Sequence, residues 1–121
     1  MYKKLEIMVN GPFGSVYDVK VDFVNKNAIY KKQDAMFLDL EKFSIDLRNE
    51  QLTEFTAKLD EYHVINWDSE YRDPNLAAGY RWQLRLVSNT SEKHSSGIVA
   101  VPEEWDKLCK QLTILLGKKF G

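Results

Sequence analysis

Two histidines, one cysteine and a scatter of carboxylates are the groups in this chain that could bind a metal, attack a substrate or move a proton, and their spacing supports none of these roles. His63 and His94 fall on different elements, and neither has a His, Cys or acid at metal-ligand spacing on a shared face. His63 follows an apolar helical stripe, where a cation interacts favourably with the last carbonyls of a helix. Cys109 stands on a second apolar stripe, the position of a small buried hydrophobe. An activated thiolate needs an electropositive, partly open setting, and the neighbouring residues supply none. Gly11-Pro12-Phe13-Gly14 sets glycines at a strand end, but another strand follows, not a helix N-terminus that could cradle phosphate. No pair of carboxylates can be set across a cleft from spacing alone. The residues therefore predict no catalytic, cofactor or metal site.

The strongest local pattern is aromatic. It runs Trp67-x-x-x-Tyr71-x-Asp73-Pro74, then Gly79-x-x-Trp82-x-Leu84, then Ser96-Gly97-x-x-Ala100-x-Pro102-x-x-Trp105-x-x-Leu108. On these residues the C-terminal half resembles a group of small, uncharacterised bacterial proteins, mostly from Gram-positive bacteria and their mobile elements, with a looser match in the N-terminal strands. That group typically has Asp directly before the glycine that Gly79 matches, and Asn-Ala-Tyr-Pro where this chain has Val99-Ala100-Val101-Pro102. Both departures replace polar or aromatic side chains with apolar ones. The resemblance implies an architecture and no activity.

The pattern has two physical readings. In the first, Trp82 and Trp105 point inward, Trp67 and Tyr71 clamp a loop, and Asp73 caps a turn. In the second, Arg81, Gln83 and Arg85 on the outward face of a strand join Trp67, Tyr71, Arg72 and Asp73 in a polar and aromatic binding surface. Packing is the weightier reading, because every residue of the pattern has a structural use.

The elements that must position these residues follow from periodicity. Leu5, Ile7 and Val9 alternate with polar neighbours as one strand, and Tyr17, Val19, Val21 and Phe23 mark a second running Ser15 to Val24. A turn at Asn25-Lys26-Asn27 returns the chain as a third strand, making an antiparallel meander with Phe13 at the tip of its first loop. Residues 33–41 fit a strand, a helical turn or a buried loop equally. Phe43, Ile45 and Leu47 suggest a fourth strand, after which Asn49 is placed to cap a helix striped by Leu52, Phe55, Leu59 and Tyr62. Trp67 to Gly79 reads as an ordered loop. Tyr80 to Leu86 and a segment from about Lys93 give the fifth and sixth strands. Pro102 opens a last helix striped by Trp105, Leu108, Cys109, Leu112, Leu115 and Leu116 and stopped by Gly117. The expected fold is a single α+β domain over residues 1–121, in the order β-β-β-β-α-β-β-α. A mostly antiparallel sheet of about six strands carries two helices on one face.

Composition bounds the function classes. A chain of 121 residues with 44% hydrophobic and 29% charged residues has the make-up of a globular domain with a packed core. No apolar run approaches the roughly 20 residues of a membrane-spanning helix, and Glu6 breaks any secretory leader pattern, so a cytoplasmic protein is expected. One cysteine permits no internal disulfide, which agrees with a reducing compartment. Charge sums to +3, −7 and +3 over residues 1–32, 33–70 and 71–121, without the dominant basic footprint of a nucleic-acid binder. The functional expectation is a non-enzymatic protein-binding or regulatory protein of a bacterium or mobile element, using its sheet face or the 67–82 segment. A protein partner, or a homodimer through an open sheet edge, fits it. The alternatives are a small enzyme with an unrecognised site and a weak nucleic-acid-binding module. The first requires a pocket where polar groups converge; the second requires the basic residues to gather on one face.

Overall fold

The computed structural model describes residues 2–11, 15–33, 40–72 and 80–120. Its seven strands are β1 (Tyr2–Asn10), β2 (Val16–Asp22), β3 (Asn27–Gln33), β4 (Leu40–Asp46), β5 (Glu70–Arg72), β6 (Arg81–Ser88) and β7 (Glu92–Ile98), with helices α1 (Asn49–Glu61) and α2 (Trp105–Leu116). The strands form one sheet in the order β4-β3-β2-β1-β6-β7-β5, antiparallel at every pairing except β5 with β7. The α+β architecture with a mostly antiparallel sheet is as the periodicity implies, with one more strand.

Strict alternation places one side of each central strand in the core. Leu5, Ile7 and Val9 of β1 face Val19 and Val21 of β2 and Leu84 and Leu86 of β6, all at most 2% exposed. Both helices press their stripes onto this face. Leu52, Phe55 and Leu59 of α1 and Leu108, Leu112 and Leu116 of α2 join the same buried cluster, and Phe55 stacks on Phe23. Each such side chain, fully buried, contributes about 1.5–3 kcal/mol. Among the described residues the opposite face of the sheet carries no helix.

Several boundaries differ from the periodic reading. β2 stops at Asp22, because its carboxylate accepts hydrogen bonds from the Val24 and Asn25 backbone N–H groups and closes the turn. Those bonds, with Asn25 first, hold the Asp22 carboxyl below the usual carboxylate range. Phe23, expected in the strand, is still buried, but in the turn. β4 begins at Leu40, which settles the end of the ambiguous 33–41 segment as strand; residues 34–39 lie outside the described residues, as do Phe13, Asp73, Pro74 and Gly79. α1 is capped at Arg48 rather than Asn49, with the Gln51 side chain accepting the Arg48 N–H at 2.8 Å. Pro102 precedes α2 instead of opening it: its carbonyl accepts the Trp105 N–H, and Glu104 is the N-cap. Gly117 ends α2 in the left-handed region at φ 67°, as a C-terminal glycine should.

The segment read as a loop from Trp67 contains β5. Glu70, Tyr71 and Arg72 pair in parallel with Ser96, Gly97 and Ile98, and the Ser96 N–H reaches the Ser69 carbonyl. Three residues cannot display an alternation, and the partner strand lies far along the chain.

Candidate functional site

The aromatic pattern converges beneath the β6–β7–β5 edge. Trp67, Trp82 and Trp105 are 5%, 1% and 3% exposed, and their rings form one cluster, with Trp82 and Trp105 4.6 Å apart and Trp67 against both. Every indole N–H has an acceptor: Trp67 donates to the Tyr62 carbonyl, Trp82 to the Ala100 carbonyl, and Trp105 to the Tyr80 hydroxyl, each within 3.0 Å. Burial of three indoles without partners would be costly, so these bonds are part of what makes the cluster stable. Trp67 therefore lies under the surface it was expected to join.

Trp82 also explains the glycine of Ser96-Gly97. Trp82 and Gly97 are direct cross-strand partners, and the indole crosses over Gly97 to reach Ala100. A Cβ at Gly97 would stand 2.3 Å from Trp82 Nε1 and 2.5 Å from the Ala100 oxygen. The chain then turns at Val99, whose φ of 65° is unusual for a β-branched residue. The Ala100 N–H closes this turn on the Ile98 carbonyl, while the Val99 N–H bonds the Tyr80 carbonyl. The spacing from Gly97 to Trp105 thus serves to seat the indoles.

Tyr71 bridges core and surface. It is half-buried against Trp82, with 5.7 Å between ring centroids, and its hydroxyl accepts the Asp68 N–H, which clamps the turn after Trp67. On either side of it, Glu70 and Arg72 point to the uncovered face of the sheet.

That face carries a shallow trough made of two joined depressions of about 270 and 530 Å³. Both include Met8, Gln83 and Ser96, which the register sets side by side on β1, β6 and β7. Arg81 and Arg72 close one end of the trough, flanking Ile98 on neighbouring strands. Neither arginine forms an ion pair among the described residues.

Arg85 behaves differently from these two. Lys20, Glu6, Arg85 and His94 stand directly opposite one another on β2, β1, β6 and β7. Arg85 bonds Glu6 and Glu92, Lys20 Nζ lies 3.9 Å from Glu6, and His94 Nε2 lies 3.2 Å from Glu92. The bonds to Glu6 and then Glu92 push the Arg85 guanidinium up, and the Arg85 bond holds the Glu92 carboxyl down. The charge of Arg85 is spent inside a ladder of alternating sign. Of the expected surface, Tyr71, Arg72, Arg81 and Gln83 line the first depression, Arg85 lies along the second, and Trp67 supports them from below.

Of the two histidines and the cysteine, His94 lines the trough, where it lies beside Glu92, and the other two stand apart from it. Burial pushes the Cys109 thiol up to about 12, the opposite of activation. His63 is exposed beyond the end of α1, in the left-handed region at φ 53°. Among the described residues no group of three His, Cys, Asp or Glu could hold a metal ion, and no helix is long and apolar enough to cross a membrane. No family model matches this chain and no curated protein matches it, so neither comparison assigns a family or an activity.

Proposed function

We propose that this chain is a cytoplasmic, non-enzymatic binding or regulatory protein that presents the uncovered face of its sheet to a protein partner. The observation carrying this reading is the trough whose end is framed by Arg72, Arg81, Tyr71 and Ile98. Two guanidiniums beside an apolar residue suit an extended acidic segment with an apolar side chain between its carboxylates. The trough is broad and shallow, and its other half is an ion-pair ladder already satisfied internally, which favours recognition over catalysis.

Nucleic-acid binding has less support. On the uncovered face Lys20, Arg85, Arg72 and Arg81 are interspersed with Glu6, Glu92, Asp18 and Glu70, while Lys58, Lys107 and Lys110 lie on the helices of the other side. A phosphate backbone requires one sign of charge along its track.

The test is affinity capture from the native host with wild-type protein, the Arg72→Ala/Arg81→Ala variant and, as a control on the helical side, Lys110→Ala. The double variant should lose the captured partner and the control should keep it. Retention by the double variant, or no partner at all, refutes the assignment. Arg85→Ala should reduce capture far less, because that side chain is engaged with Glu6 and Glu92.

A further inference from the structure

The two edges of the sheet are unlike. Among the described residues β5 is a three-residue edge, too short to template another strand. β4 is a seven-residue edge in continuous register with β3, without a bulge or a proline. Among the described residues it pairs with β3 alone. Short strands, bulges, prolines and charges are the usual means of blunting an edge; β4 uses charge alone, and its three charged residues, Glu41, Lys42 and Asp46, are of mixed sign. Its side chains are exposed apart from half-buried Ile45, including Leu40 at 56% and Phe43 at 39%.

The sequence of β4 is complementary to itself. Lys42-Phe43-Ser44-Ile45-Asp46 reads as cation, apolar, small, apolar, anion. Phe43 and Ile45 share the helix side of the sheet, opposite Tyr30 and Ala28, while Lys42, Ser44 and Asp46 share the uncovered side. If a second copy adds antiparallel with Ser44 opposite Ser44, each Lys42 faces an Asp46 and each Phe43 faces an Ile45. Shifting by one pairing step toward Phe43 sets Lys42 against Ser44, and shifting the other way sets Asp46 against Ser44. Two steps toward Lys42 oppose lysine to lysine. Only the Ser44-centred register pairs opposite charges, and cross-strand pairs of this kind set register.

We propose that β4 is a self-association edge: two copies of this chain join through antiparallel β4 strands, centred on Ser44, into one continuous sheet with all helices on the same side. The two-fold axis is then normal to the sheet, and the interface is isologous. Phe43, now covered on one side by the Lys118 ammonium 3.8 Å above its ring, gains Ile45 of the second copy as a neighbour.

The experiment is sedimentation velocity on the full chain up to about 100 µM, with charge-reversal variants. Wild type should dimerise. Lys42→Asp and Asp46→Lys should each weaken the dimer about tenfold, since one substitution creates two like-charge pairs by symmetry, and the double swap should restore it to within about threefold. All these positions are exposed, and far-UV circular dichroism verifies folding. Independently, Ser44→Cys in a Cys109→Ala background should cross-link between copies under oxidised glutathione. Lys42→Cys should not, because two copies of that position lie about 14 Å apart along the strands. A monomer at every concentration, a dimer indifferent to both charge reversals, or equal cross-linking at both cysteines overturns the proposal.

Discussion

Replacing Gly97 by alanine adds one methyl group, yet the packing around Trp82 makes it a severe change. The new Cβ would meet Trp82 Nε1 at 2.3 Å, Trp82 Cε2 at 2.8 Å and the Ala100 oxygen at 2.5 Å. Ordinary carbon contacts begin near 3.5 Å. The indole has no room to retreat, because Trp67, Tyr71 and Trp105 surround it. If the ring is forced aside, its N–H loses the Ala100 carbonyl, leaving a buried donor unpaired at a cost of about 1–3 kcal/mol. Overpacking adds about 1–3 kcal/mol more. The expected loss is therefore about 2–6 kcal/mol, a large part of the roughly 5–15 kcal/mol that holds a domain of this size. Urea unfolding followed by tryptophan fluorescence and far-UV circular dichroism measures it directly. A value within about 0.5 kcal/mol of wild type, the range of ordinary surface substitutions, would refute the packing argument. The mechanism is tested separately by placing Gly97→Ala in a Trp82→Leu background, where its cost should fall by about 1 kcal/mol or more. Additive effects would show that the indole is not what the methyl group strikes.

The Val99 turn gives a prediction of opposite sign. A left-handed conformation costs an L-residue about 1–2 kcal/mol, and β-branching makes it worse, so Val99→Gly should gain about 0.5–1 kcal/mol after the entropy of the unfolded glycine is counted. A thermal midpoint that falls instead of rising would contradict the turn at this residue. Burial raises the Tyr2 and Tyr80 hydroxyls and the Cys109 thiol to about 12 each. Unfolding returns them to about 8.5–10, so in the window between, the folded chain holds more protons and stability must fall as pH rises from about 9 toward 12. Thermal melts across that range, read beside phenolate absorbance, should show the decline, and a flat profile to pH 11 would argue that these groups are solvated.

Much of the architecture is legible in local patterns. The stripes of α1 and α2 and the alternation in β1, β2 and β6 each follow from one element having one face in the core. Trp82 and Trp105 could be placed inward for the same reason. The reach of Arg81, Gln83 and Arg85 to the uncovered face also follows from alternation alone. Other features had no local sign. Three residues of β5 contain no period, the fate of Arg85 depends on Glu6 across the sheet, and the need for glycine at 97 arises from an indole fifteen positions earlier.

The aromatic segment from Trp67 to Trp105 shows where that division falls. Sequence by itself determined that its indoles seek burial and that its arginines alternate outward, because hydrophobicity and the two-residue period of a strand are properties of the local chain. Tertiary structure decided that the three indoles share one cluster, that Arg85 is neutralised while Arg72 and Arg81 frame a trough, and that β4 is left as an edge. These outcomes depend on which strand lies beside which. Strand adjacency is set by the global packing of all seven strands against two helices, and no stretch of the chain carries it alone.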